Sequence, residues 1–125
     1  MDDFKLKVLV ADDEQVIANT LTIILNRSGF EAYAVYSGEA AITALSTFQP
    51  DLFISDVVMP GMNGIEAAIV VRSQRPSCKI LLFSGQAATA DLLQTARAHG
   101  HSFEIIAKPI HPTDLLAKLR KDSLH

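Results

Sequence analysis

The sequence predicts an α/β fold, a parallel sheet with helices on both faces, and two observations lead there. Short apolar runs alternate with longer segments whose apolar residues recur at helical spacing. The runs are apolar on nearly every residue rather than on every second one, the pattern of strands buried on both faces.

The first run spans Lys5 to Ala11 and stops at Asp12-Asp13-Glu14, a strand followed by a polar loop. Val16, Ile17, Leu21, Ile24 and Leu25 then mark a helix over Val16 to Leu25, with Gly29 as its expected C-cap. Ala32 to Tyr36 is the second strand. Ser37 and Gly38 precede a helix over Glu39 to Phe48, which stops before Pro50. Leu52 to Ser55 forms the third strand and delivers Asp56 at its end. Pro60-Gly61-Met62-Asn63-Gly64 supplies turn residues, and Ile65 to Arg72 returns to helical spacing. Cys78 to Phe83 is the fourth strand, ending at Ser84-Gly85. Ala87 to His99 reads as an alanine-rich helix closed by Gly100. Phe103 to Ala107 is the fifth strand, before Lys108-Pro109, and Pro112 to Leu119 the last helix.

Right-handed crossovers between parallel strands reduce the possible topologies, and five βα units fit a doubly wound (βα)5 sheet of flavodoxin-like order 2-1-3-4-5. With 125 residues, no linker, no repeat and no low-complexity stretch, residues 1–125 read as a single domain. Hydrophobic residues at 49% and charged residues at 20% describe a compact globule. A net charge of -3, without a basic cluster, argues against direct nucleic acid binding. The lone Cys78 excludes an intramolecular disulfide and a cysteine-based zinc cluster. The acidic start and the lack of an apolar run near the roughly 20 residues of a membrane span point to a cytoplasmic location with no membrane contact.

Ligands of doubly wound sheets bind at the carboxyl ends of the strands, where strand order reverses, here between the first and third strands. Asp12 and Asp13, Asp56, Ser84 and Lys108 all fall at that edge. Three crowded carboxylates repel one another, and a hard divalent cation relieves them. Mg²⁺, or Mn²⁺ in its place, takes oxygen ligands and retains waters, with Asp13 and Asp56 as expected direct ligands and Asp12 acting through water. Asp56 then suits the role of carboxylate nucleophile toward phosphorus. Lys108 would pair with one phosphoryl oxygen and the Ser84 hydroxyl with another. A cis bond at Lys108-Pro109 would help to aim the lysine.

These residues, with Val8-Leu9-Val10-Ala11-Asp12-Asp13-Glu14, Asp56 through Gly64, Ser84-Gly85 and Lys108-Pro109 in order, resemble the receiver domains of two-component response regulators along essentially the whole chain. The resemblance implies phosphotransfer from the phosphohistidine of a sensor histidine kinase or phosphotransfer protein to Asp56. It further implies Mg²⁺ dependence, slow self-catalysed loss of the phosphoryl group and no other enzymatic activity. The Val58 backbone carbonyl would be the third protein ligand of the metal, and Val58 and Gln86 would tune attack by water. One departure stands out. Receivers usually carry Tyr or Phe three residues before the lysine, an aromatic switch coupled to the Ser or Thr, here Ser84, and this chain has Ile105. Phe103, two residues earlier, is a partial substitute. The implied output surface comprises the last helix, the fifth strand and the preceding helix, with Ile105, His99 and His101 in or near it. Its partner is an unspecified downstream protein or output domain, or a second copy in a homodimer formed on phosphorylation through the Ala87 to Leu119 face.

Plainer readings stand beside these. Asp12, Asp13 and Ser84 are also helix-capping types, Lys108 a possible solvated lysine, and Met59 to Gly64 a simple turn. Cys78 reads as a buried strand residue, and His99, His101, His111 and His125 as surface residues. Two alternatives complete the set: a receiver-shaped module that binds independently of phosphorylation, and a metal-dependent phosphatase of the haloacid dehalogenase type. The latter places a second Asp two residues after its nucleophile, where this chain has Val58.

Overall fold

A computed structural model describes residues 5–85, 89–108 and 111–123 of the chain. Strand and helix alternate throughout: β1 (Lys7–Ala11), α1 (Gln15–Arg27), β2 (Glu31–Val35), α2 (Gly38–Phe48), β3 (Leu52–Asp56), α3 (Gly64–Gln74), β4 (Lys79–Ser84), α4 (Thr89–Ala98), β5 (Glu104–Ala107) and α5 (Pro112–Ser123). The five strands form one parallel sheet of order β2-β1-β3-β4-β5, as the sequence predicts.

The two-residue period of a strand divides the central sheet between two cores. Leu9, Ala11, Phe53, Ile80 and Leu82 face α2 and α3, packing against Ala41, Leu45, Ala68 and Val71. Val8, Val10, Ile54, Leu81 and Phe83 face the other way, against Ala18 and Leu25 of α1 and Leu115 and Leu119 of α5. That arrangement explains the continuous apolar runs, but only for β1, β3 and β4. The outer strands depart from the expectation: Glu31, Tyr33 and Glu104 are exposed, because a border strand has a neighbour on one side only.

Local signals set the helix ends. The Ser37 hydroxyl accepts the Ala40 N–H at 3.0 Å, starting α2. Asn63 and Glu66 form a reciprocal capping box at α3, with both bonds at 2.9 Å. Gly29 takes φ +98° just past α1, and the Phe30 N–H returns to the Leu25 carbonyl at 3.1 Å. Helix α5 runs beyond the expected Leu119 to Ser123; Pro112 is its first residue, and the His111 ring nitrogen accepts the Thr113 N–H at 3.2 Å. Helix α4 ends at Ala98, one residue before the predicted His99, and its predicted start at Ala87 lies outside the described residues.

Three sequence expectations need correction. Neither Asp12 nor Asp13 caps α1; Glu14 holds the N-cap position, without a side-chain cap. Ser84 does not cap a helix: it is the last residue of β4, and Gly85 after it is not helical. Phe103 precedes β5 rather than standing in it, and its ring is occupied elsewhere: the Arg72 guanidinium lies 4.3 Å from its centroid and the His101 ring stacks beside it at 6.4 Å. It stands at the amino end of β5, opposite the end at which Lys108 follows, and packs against the same core as Ile105. Gln86, Pro109 and His125, and with them the expected cis bond, lie outside the described residues.

Candidate functional site

Parallel strands bring all their carboxyl ends to one edge, and β1 and β3 are neighbours although α1, β2 and α2 separate them in sequence. Asp12 follows β1 and is almost fully buried, at 3% exposure. Its backbone N–H donates to the Val35 carbonyl at 3.2 Å, and its Oδ1 accepts the Glu14 N–H at 3.0 Å. The remaining oxygen, Oδ2, accepts from Lys108 Nζ at 3.2 Å. Asp13, the next residue, is exposed.

Asp56 ends β3. The turn after it is tight: Val57 donates its N–H to the Phe83 carbonyl at 3.0 Å, and Gly64 returns to donate to the Val57 carbonyl at 2.8 Å. A Cβ at Gly64 would lie 2.0 Å from the Asp56 carbonyl oxygen, so only glycine permits α3 to start this close to the end of β3. The buried Ser55 hydroxyl donates to the same carbonyl at 2.9 Å. The sequence does not single out Ser55 as a contributor to the site, and it includes Gly64 in the Asp56 to Gly64 segment as a turn residue without this close contact.

Lys108 follows β5, its N–H donating to the Ser84 carbonyl at 3.0 Å. A Cβ at Gly85 would stand 3.2 Å from the Lys108 Cβ, so the glycine leaves room for the lysine stem. The ammonium lies 3.2 Å from Asp12 Oδ2 and 3.4 Å from Asp56 Oδ1, bridging the two carboxylates. One carboxylate oxygen from each of Asp12, Asp13 and Asp56 lies within 4.8 Å of the others.

The electrostatics follow from this crowding. Burial raises the Asp56 pKa above its ordinary value, and Asp12 and Asp13 add to the rise, while Lys108 opposes it. Burial works to lower the Lys108 pKa, but Asp56 and Asp12 together override it and hold the ammonium above its usual value. A single cation therefore leaves the carboxylate cluster undercompensated. Three convergent carboxylates, joined by no His or Cys ligand among the described residues, fit a hard oxygen-seeking divalent cation.

Asp13, Glu14, Asp56, Val58, Gly85 and Lys108 line an open cleft of about 290 Å³. Four of the site residues named from sequence thus meet around it: Asp13, Asp56, Val58 and Lys108. Asp12 lies beneath them, joined through the lysine. Ser84 is partly buried at the end of β4, and its neighbour Gly85, rather than its own side chain, lines the cleft. Ile105 sits in β5 beside Leu82, packed against the α2/α3-side core and away from the cleft.

The remaining candidates stay apart from this edge. Cys78, just ahead of β4, is buried; burial is the main cause pushing its thiol up to about 11, with Asp51 adding to the rise and Arg75 opposing it. His99 and His111 are exposed, each ring nitrogen engaged locally with Thr95 and Thr113, respectively.

A doubly wound α/β domain with carboxylates and one lysine at its switch point is the class of protein in hand. Its family follows directly: residues 8–120 match the response regulator receiver domain, and the chain belongs to that family. It is 32% identical over 120 residues to the DNA-binding response regulator MtrA of Mycolicibacterium smegmatis, covering 96% of this chain and 51% of MtrA. It is 30% identical over 114 residues to the alkaline phosphatase synthesis transcriptional regulatory protein PhoP of Bacillus subtilis, covering 91% and 47%. The chain spans about half the length of these curated relatives. Among solved structures, the chemotaxis protein CheY4 of Vibrio cholerae superposes with a TM-score of 0.81 at 29% identity, covering 94% of this chain and 98% of that one. A CheY-like receiver domain from Methanospirillum hungatei shares the fold, with a TM-score of 0.84 at 23% identity over 95% and 94% of the two chains. No helix among the described residues is long and apolar enough to cross a membrane.

Proposed function

We propose that this receiver domain accepts a phosphoryl group on Asp56 from a phosphohistidine, carried by a sensor histidine kinase or a phosphotransfer protein. The observation that carries this is the convergence of three carboxylates with the Lys108 ammonium at the β1/β3 switch point. An Asp56 carboxylate oxygen attacks phosphorus, the P–N bond breaks with its electron pair returning to the imidazole, and an acyl phosphate remains. Lys108 exchanges its carboxylate contact for a phosphoryl oxygen, and the Ser84 hydroxyl donates to another. Asp13, Asp56 and the Val58 carbonyl would hold Mg²⁺ or Mn²⁺, with Asp12 acting through water, and the ion would neutralise the carboxylates and the charge developing on the phosphoryl oxygens. Val58, with an aliphatic side chain 48% exposed, offers no group to orient water or act as a second acid, which favours a persistent acyl phosphate over phosphatase turnover.

The domain, residues 1–125, acts alone or within a longer cytoplasmic protein. Phosphorylation changes its binding to a downstream protein, an output domain or a second copy through α4, β5 and α5, without direct nucleic acid contact by the receiver itself. The MtrA and PhoP relatives are named as DNA-binding and transcriptional regulators, which favours an output module of that kind in a full-length protein.

Acetyl phosphate with Mg²⁺ is expected to add one phosphoryl group, read by intact mass, and Asp56→Asn to abolish the gain. Labelling at full stoichiometry in Asp56→Asn would overturn the assignment. A second reading, phosphorylation-independent binding, is favoured by Ile105 in place of the aromatic switch. Equal partner affinity with and without acetyl phosphate would establish it.

A further inference from the structure

The segment between β3 and α3 carries Val58, and α2 holds it from outside. Glu39, in the first turn of α2, reaches across 23 positions of sequence to accept the Met62 N–H on Oε2 at 3.1 Å. Beside that bond the two segments touch backbone to backbone: a Cβ at Gly38 would lie 2.7 Å from the Met62 carbonyl oxygen. Gly61, at φ +72°, leaves the Glu39 carboxylate its space, since a Cβ there would come within 2.8 Å of Oε2. The segment is further fixed by the Val57 and Gly64 backbone bonds, the Asn63–Glu66 capping box at its far end, the buried Met59 side chain and the packing of Met62 against the core. Val58 lies between them, half-exposed at the cleft.

We infer that Glu39 is a positioning residue for the cation site: by holding Met62 it fixes the segment that presents the Val58 carbonyl. This rests on the reading of the site given above. An acceptor carbonyl held in place before the ion arrives costs less ordering when the ion binds, and residues that orient ligands contribute to metal affinity without touching the metal. Glu39 is also well placed electrostatically, since a carboxylate in the first turn complements the positive end of the α2 dipole.

The test compares the full chain with Glu39→Ala and Glu39→Gln, using calorimetric Mg²⁺ titration and amide hydrogen exchange at Met62. Glu39→Ala is expected to speed Met62 exchange and weaken Mg²⁺ binding about fivefold, the worth of one modest hydrogen bond. Glu39→Gln retains an oxygen acceptor and is expected to restore both. Faster exchange with unchanged Mg²⁺ affinity would overturn the proposal, as would unchanged exchange in Glu39→Ala. Equal weakening in both variants would assign the effect to long-range charge and overturn it too. A wild-type protein without saturable Mg²⁺ binding would overturn the reading of the site, and this proposal with it, an outcome separate from the other three.

Discussion

Strand β3 is bracketed by two aspartates whose surroundings are opposite. Asp51, just ahead of its amino end, is enclosed by backbone: its Oδ2 accepts the Lys7 N–H at 2.9 Å, its own N–H donates to the Lys7 carbonyl at 2.8 Å, and its carbonyl accepts from Lys79 at 3.0 Å. The Arg75 guanidinium, bonded to the Pro50 carbonyl at 3.3 Å, closes the same corner. Asp56, at the carboxyl end, faces two other carboxylates and shares one ammonium with Asp12. One residue, through its backbone and one carboxylate oxygen, ties three strands together, and the other is held in a destabilised state of charge. Geometry imposes the difference: parallel strands gather loops of separate origin at the carboxyl edge, where side chains rather than paired backbone must satisfy one another.

The largest expected effect at the reactive end follows from removing its cation. Lys108→Ala is expected to slow labelling by acetyl phosphate about 10²-fold, as the loss of one positioned donor does in comparable sites, measured as the initial rate of mass gain. Asp51→Ala, by contrast, should leave that rate nearly unchanged and lower unfolding free energy by about 1 kcal/mol, the net worth of a bond to backbone. Urea denaturation checks it, and a large loss of labelling would break the comparison.

Asp56→Asn sharpens it from the other side, because it should stabilise the metal-free domain near neutral pH. A carboxyl group whose folded pKa is raised favours folding below its unfolded pKa, about 4, and withdraws that contribution as pH rises through the folded value. The melting-temperature advantage of Asp56→Asn should therefore be full above the raised folded pKa of Asp56, shrink as pH falls through that value, and be gone below about 4. Lys108 behaves conventionally: its raised pKa supports folding at every pH below about 10.4 and that support is lost above its folded pKa. The smallest effect belongs to the quiet corner. With its thiol pushed up to about 11, Cys78 should react with a disulfide reagent at pH 7 only as fast as the domain unfolds, which denaturant-dependent kinetics will read.

The sheet order and the acidic edge are legible because apolar runs give way abruptly to polar and charged residues at the strand ends, at Ala11-Asp12 and Ile54-Ser55-Asp56. Contacts between distant segments leave no such mark. The Glu39 bond to Met62 looks like an ordinary first-turn glutamate in sequence, and Gly64 like a turn glycine, although its real constraint is a carbonyl 2.0 Å from where a Cβ would sit. Phe103 looks like a strand residue in sequence, but β5 begins one residue later, and Arg72 of α3 lies over its ring. Asp12 and Ser84 belong to a good capping type, but a cap needs a helix beginning within a residue, and neither α1 nor α4 begins there.

The sheet has two open borders, and each border strand begins with a glutamate, Glu31 in β2 and Glu104 in β5. Glu104 is paired with Lys118 from α5, which lays a second charged side chain along its border. A foreign strand adding to either side would have to strip water from these groups, a cost that grows with each charge covered. The molecule can thus expose four of its apolar or aromatic positions near β2 and α1 (Tyr33, Tyr36, Val16 and Ile23) while its borders still discourage runaway strand addition between copies.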